Sequence, residues 1–251
     1  MTHNNFPVLM WTSLPVKIFR RIFEVGFFDT LKWFRLHLSA LYREWNLGIK
    51  TVKNLGPEML GYDSECEGYE PISYVCFDTA MHTVDIRPEE SVFLDYGSGM
   101  GRALILAAQY PFKKVIGVEL SQKLCNIAQE NVKRAWKNLE CKDIEIICKD
   151  ARSFTLPSDI TTIFIWNSFT GSILSSVFEK IRESLEKSPR PLTLLYLLPY
   201  KEKDMLAEFD YFETRRELKT DFWTGIKIIV YESKKSVGTT HPKVENFNIN
   251  S

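Results

Sequence analysis

The chain has 251 residues, enough for one large α/β domain or for one domain with an extension. Its 45% apolar content fills a full core, and 25% charged residues suit a soluble surface. Lysine plus arginine equals aspartate plus glutamate at 32 each, so total charge singles out no partner, and no run approaches the roughly 18 apolar residues that span a bilayer.

The charge is unevenly spread. Residues 1–60 carry eight basic side chains against four acidic ones, a formal +4, which leaves the remainder at −4. The five cysteines form no C-x-x-C pair and the four histidines lie far apart, so no metal-ligand spacing appears and no metal is expected. Scattered thiols read as free cysteines of a reducing compartment. Pro7, Pro15 and the charges from Lys17 onward interrupt any secretory signal. The expected location is the cytoplasm.

Residues 13–46 read as two helices. Ile18, Phe19, Ile22, Phe23 and Phe27 recur at helical spacing, and Gly26 weakens the end of the first helix. Asp29 is placed to cap the second, whose stripe is Leu31, Phe34, Leu38, Leu41 and Trp45. That stripe is expected to pack on the domain that follows. The alternative is a basic, aromatic-rich helix in peripheral contact with a membrane surface or an acidic partner. Residues 49–72 are loop-like, with Gly56, Pro57, Gly61, Gly68 and Pro71.

An alternation of helix and strand then begins. Val75–Val84 suits a helix, Val92–Tyr96 a buried strand, Arg102–Gln109 a helix that stops before Pro111, and Val115–Leu120 a second strand. Ser121 is expected to cap a helix carrying Leu124, Ile127, Ala128, Val132 and Trp136 on one side. Ile144–Lys149 and Thr162–Asn167 are the next strands, followed by a helix over Ser172–Lys187 and a fifth strand over Leu192–Leu198. A charged helix is expected around Lys201–Phe209. Phe212–Lys219 and Ile226–Glu232 then form an antiparallel hairpin turning at Thr224 and Gly225, and the polar tail from Ser236 is expected to be disordered. The fold class is therefore α/β. We expect a Rossmann-like, doubly wound, seven-stranded and mostly parallel sheet with a C-terminal antiparallel hairpin and an N-terminal helical extension. The expected organisation is a helical arm over 1–60, one domain over 61–235 and a tail over 236–251.

The chemistry concentrates at strand ends. Asp95-Tyr96-Gly97-Ser98-Gly99-Met100-Gly101 follows a buried strand and opens a helix, where glycines 97, 99 and 101 allow a sharp turn and close ligand approach. A dinucleotide fingerprint would place its last glycine at 102, where this chain has Arg102. An acid two residues ahead of the first glycine also repels a pyrophosphate. S-adenosylmethionine instead offers an α-ammonium group there, which Asp95 can meet directly or through water.

Glu119, with Leu120 after it, ends the second strand, where a carboxylate can accept both ribose hydroxyls. Alone it reads equally as a solvated or helix-capping acid. Asp150 and Ala151 follow the third strand, placed to accept from the adenine amino group and to meet the ring through a backbone amide, although aspartate also forms turns. Asn167-Ser168-Phe169 closes the fourth strand beside the expected methyl group. Asn167 can orient a nucleophile and Phe169 can wall the pocket; a turn beside a core ring is the plainer alternative.

With these residues in place, the chain resembles the class I S-adenosylmethionine-dependent methyltransferases over roughly residues 69–233. Its loop, Asp95 to Arg102, is similar to the D-x-G-S-G-x-G-R loop of a poorly characterised bacterial group and to that of Dot1-type lysine methyltransferases. Tyr69-Glu70-Pro71 resembles the aromatic-x-proline segment that closes over the methionine end of the cofactor in such enzymes. The chain departs from them at Ser168, where proline is usual, and at Ile72, where a small hydroxyl residue is often seen. The resemblance implies a methyltransferase with S-adenosylmethionine as cofactor, Tyr69 and Asn167 as candidates at the reacting centre, and Glu70 nearby. It does not name the acceptor. A protein lysine leads by analogy with the Dot1-like loop, a small molecule or lipid follows closely, and the net acidic body argues against nucleic acid. A non-catalytic cofactor-binding protein is the rival of a different class, with Ser168 as its only support.

Overall fold

The computed structural model describes residues 22–23, 26–62, 64–199, 212–219 and 226–233. The chain divides into two compact units, Met1–Leu47 and Gly48–Ser251. Of the sequence expectations, residues 13–21, the helix around 201–209, the turn at Thr224 and Gly225, and the tail lie outside the described residues.

In the first unit, helix α1 (Phe27–Leu47) begins two residues ahead of the expected cap. Asp29 sits inside the first turn, and the Thr30 hydroxyl donates to Gly26 O at 2.7 Å, just after the left-handed Gly26 at φ +92°. Of the expected apolar stripe, Leu31, Leu38, Leu41 and Trp45 are 45%, 47%, 43% and 77% exposed, and Phe34 is half-buried. Helical periodicity identifies an apolar face; it does not say what covers it.

The second unit holds the sheet. Strands β1 (Val92–Tyr96), β2 (Lys114–Glu119), β3 (Ile144–Cys148), β4 (Thr162–Trp166) and β5 (Thr193–Pro199) are parallel. Strand β7 (Ile226–Ser233) runs antiparallel to β5, and β6 (Phe212–Lys219) antiparallel to β7, giving the order β3-β2-β1-β4-β5-β7-β6. Helices α2 (Pro57–Leu60), α3 (Tyr74–Met81), α4 (Arg102–Ala107), α5 (Gln122–Ala135) and α6 (Gly171–Lys187) complete the unit among the described residues.

Both faces of the sheet are covered, which is why its central strands read as unbroken apolar runs rather than alternations. Leu94, Tyr96, Ile163 and Ile165 join Ile173, Val177 and Ile181 of α6 in one cluster. On the other side, Phe77 of α3 packs against Phe164 with ring centroids 5.4 Å apart, and Phe93 against Phe112 at the same separation. Each such fully buried side chain contributes about 1.5–3 kcal/mol. The strand order reverses at β1, because β2 lies on one side of it and β4 on the other. A crevice therefore opens at the carboxyl ends of these strands.

Two local expectations are corrected. Ser121 occupies the N-cap position of α5, but its hydroxyl makes no capping bond. The preceding Glu119 carboxylate accepts the Ser121 amide at 2.8 Å instead. Trp136 lies past α5 in a one-turn 3-10 helix and is 43% exposed, with the Lys142 ammonium 5.1 Å from its ring centre, so it does not extend the buried stripe.

Candidate active site

The turn after β1 folds back on β2. The amides of Gly97 and Ser98 donate to Val118 O at 2.8 and 3.1 Å, and the amide of Gly99 donates to Glu119 Oε2 at 2.9 Å. Gly97 and Gly99 hold φ of +76° and +55°, a region that costs side-chain-bearing residues. Space forbids a side chain as well, since a Cβ on Gly97 would meet the Ser168 side chain and one on Gly99 the Tyr69 ring. Gly101 caps α4 and packs on Ala128 of α5.

Two buried polar side chains brace this turn. Arg102, 6% exposed, donates from Nε to Thr51 Oγ1 at 2.7 Å and from Nη1 to Ile72 O at 2.8 Å, with its guanidinium 4.7 Å from the Tyr74 ring centre. It thereby ties both ends of the 49–74 segment to the turn. Asn131 of α5, fully buried, donates to Met100 O at 3.0 Å and to Lys50 O at 3.2 Å, and accepts from the Lys50 amide at 3.0 Å.

The segment read as loop-like is a structured cover. Leu55 and Tyr69 pair antiparallel, with amide-to-carbonyl distances of 2.9 and 2.7 Å, and Cys66 bridges to Phe169 beyond β4. The Glu65 carboxylate accepts from the amides of Ser172 and Ile173 at 3.1 and 3.2 Å, and so caps the N-terminus of α6 from a distance.

Between this cover and the strand ends lies a cavity of about 270 Å³. Eight of the ten sequence-predicted binding residues line it: Tyr69, Gly97, Gly99, Glu119, Leu120, Asp150, Ala151 and Asn167. Asp95 and Gly101 do not. Asp95 is only 3% exposed and lies beneath the turn. Burial, followed by the charge of neighbouring Glu119, pushes its carboxyl well above the usual range.

The remaining candidates have definite local partners. Glu119 is 4% exposed, and its Oε1 accepts from the Tyr62 hydroxyl at 2.5 Å in addition to the Ser121 amide. Asp150 forms the turn foreseen for it, accepting the Arg152 amide at 2.8 Å while its carboxylate pairs with the Arg152 guanidinium at 2.6 Å. That hydrogen bond lowers its pKa. Tyr69 donates its hydroxyl to Thr51 O at 3.0 Å and offers the cavity its ring.

Asn167 stands at φ +40°, a left-handed conformation that asparagine tolerates better than most residues. Ser168 donates to Tyr96 O at 2.8 Å and also lies within hydrogen-bond distance of Trp166 O, so the hydroxyl locks the β4 end to the β1 end. Phe169 is buried, edge-on to Tyr96 with ring centroids 6.3 Å apart. It therefore serves as a core ring, although it also borders the cavity.

Tyr62, Arg102, Asn131 and Trp166 escaped the sequence analysis as site-forming residues. Trp166 lines the cavity and donates its indole N–H to Glu70 O at 3.1 Å. Arg102 stood out only as the residue that breaks a dinucleotide fingerprint. Asn131, a polar residue in the middle of a helix with good apolar periodicity, was the one available signal of a buried pin.

Residues 93–188 match a family model described as a methyltransferase domain. No curated protein matches the sequence at a significant level. Among solved structures, the chain is similar to an RNA methyltransferase from Salinibacter ruber in complex with S-adenosyl-L-homocysteine, at 20% identity over 69% of this chain and 100% of that one, with a TM-score of 0.50. A SAM-dependent methyltransferase from Aquifex aeolicus is similar at 16% identity over 63% of this chain and 89% of that one, with a TM-score of 0.49. Magnesium protoporphyrin IX methyltransferase from Synechocystis with bound SAM is similar at 16% identity over 64% and 77%, with a TM-score of 0.44. At 20% identity the likeness to the Salinibacter ruber protein is one of fold. Residues 93–188 thus match a methyltransferase domain, and the sheet order is that of the Rossmann-like, seven-stranded methyltransferase fold.

Proposed function

We propose that the cavity holds S-adenosylmethionine with its ribose on Glu119, its adenine beside Asp150 and Ala151, and its methionine end toward Gly97 and Tyr69. The observation that carries this is Glu119, a buried carboxylate fixed by two backbone amides on the cavity wall. Because Gly97 and Gly99 have no side chains, Ser168 and the Tyr69 ring can close against the turn at the methionine end. Asp95 suits the α-ammonium group, directly or through water, since a cation nearby offsets the cost of ionising a buried acid. When bound, the cofactor supplies an electrophilic methyl group on a sulfonium.

For the acceptor we favour a protein lysine. Glu67, Glu70, Trp166 and Asn167 border the cavity together, so two carboxylates and an indole are available to draw in a cationic side chain. The Asn167 side-chain oxygen suits orienting the amine once it has lost its proton. Alignment alone supplies ~7–11 kcal/mol of barrier reduction in such transfers, which is why no acid–base triad is required. Tritiated methyl transfer into cell lysate, sorted into protein, lipid, nucleic acid and small-molecule fractions, tests the acceptor. Label in protein, released as methyl-lysine on hydrolysis, is the expected result. Label confined to another fraction would replace the lysine assignment with that acceptor class.

A second feature favours peripheral contact with an anionic lipid surface. Phe28 and Trp45 on α1 are 82% and 77% exposed, Tyr42 is 64% exposed, and residues 1–60 carry a formal +4. Aromatic rings beside basic residues partition to the headgroup region. No helix among the described residues is long and apolar enough to cross a membrane. Sedimentation with anionic but not neutral vesicles is expected, and its absence would remove the lipid contact.

A further inference from the structure

Glu119 is already nearly full. A carboxylate offers about four lone-pair sites. Oε1 accepts from the Tyr62 hydroxyl at 2.5 Å and the Ser121 amide at 2.8 Å, and Oε2 from the Gly99 amide at 2.9 Å. One site remains, whereas a ribose diol that donates both hydroxyls needs two. One of the three donors must therefore leave.

The three differ in what holds them. The Gly99 amide belongs to the turn braced by Arg102 and Asn131, and the Ser121 amide to the N-cap of α5. Neither can withdraw without dismantling the elements around it. The Tyr62 hydroxyl sits at the end of a side chain that lines the cavity. Its backbone follows directly on Gly61, which ends α2 in a left-handed conformation at φ +69° with nothing within 4 Å of where a Cβ would stand. Of the three donors, only the phenol can move by rotating about a few bonds.

We propose that Tyr62 is a gate on the cofactor site: its hydroxyl holds the ribose position on Glu119, and binding exchanges the phenol for the diol. This rests on Glu119 being the ribose acceptor. Tyr62 is then a positioning residue that sets cofactor affinity and the rate of binding. It keeps the buried carboxylate hydrogen-bonded while no ribose is there, at the expense of binding strength.

The test uses the full chain with S-adenosylhomocysteine as probe. Tyr62→Phe deletes the competing hydroxyl and keeps the ring, so it should bind the probe about tenfold more tightly, the worth of one hydrogen bond to a charged group. In stopped flow, the binding rate of the native protein should level off at high probe concentration as gate opening becomes limiting, while that of Tyr62→Phe keeps rising. A 3-fluorotyrosine at position 62 should shift its fluorine resonance on saturation as the ring leaves Glu119. Equal or weaker binding by Tyr62→Phe, or an unmoved resonance, overturns the gate. Failure of the underlying assignment looks different: the probe then binds neither protein, or binds Glu119→Ala as well as the native chain.

Discussion

The Gly99 amide donates to Oε2 of Glu119 across 2.9 Å, so the turn after β1 and the end of β2 hold each other in place. The carboxylate is thus both a candidate ligand and a structural acceptor, and its removal should show in two measurements. Glu119→Ala is expected to weaken S-adenosylhomocysteine binding by one or two charged hydrogen bonds, ~1.5–3 kcal/mol each, in calorimetry. It should also lower urea stability by about 1–3 kcal/mol, because the buried Gly99 amide and the half-buried Ser121 amide lose their acceptor. Lost stability with unchanged affinity would leave Glu119 as scaffold only.

Asp95 makes a prediction about pH. Its folded-state pKa is raised by burial and by the charge of Glu119, so the unfolded chain gives up this proton first. The stabilising contribution is complete below the unfolded value of about 3.9 and is lost as pH rises toward the folded value. Asp95→Asn has no proton to lose, so its melting temperature relative to the native protein should climb between pH 4 and pH 8. The same variant should bind S-adenosylhomocysteine more weakly, since the probe's α-ammonium loses its counter-charge. A stability difference that does not vary with pH would show that Asp95 titrates normally in the fold.

Strands β1 to β5 were legible to within about two residues, because strands buried on both faces print as apolar runs between turn residues. The long helices α5 and α6 were legible through their 3.6-residue period. The cover over the site was not. Its order comes from main-chain pairing of Leu55 with Tyr69 and of Cys66 with Phe169, which no side-chain pattern records. Tyr62 and Glu119 stand 57 positions apart, so neither announces the other. Ser168, weighed as a sign of decay, is occupied in joining two strand ends.

Arg102 is expected to carry more weight than its place in a glycine turn implies. Arg102→Lys keeps a positive charge, but a single ammonium cannot reproduce the planar fork that spans Thr51 Oγ1 and Ile72 O. Losing one of these buried bonds should cost about 1.5–3 kcal/mol in chemical denaturation. The 49–74 cover should loosen with it, seen as faster amide exchange at Leu55 and Tyr69, whose paired amides it helps hold. Native-like exchange at both positions would mean that the cover stands without this brace.

At Asn167, backbone and side chain can be tested apart. The φ of +40° suits glycine and penalises alanine, so Asn167→Ala should unfold more readily than Asn167→Gly, by about 1 kcal/mol. If the amide side chain orients the acceptor, both variants should lose methyl transfer to protein by a similar factor despite their different stabilities. Affinity for S-adenosylhomocysteine should stay near native in Asn167→Gly, because the conformation is kept and only the acceptor contact is gone. Full transfer by the glycine variant would reduce Asn167 to a turn residue. Equal stability of the two variants would instead mean that the β4 end relaxes out of the left-handed conformation once the asparagine is removed.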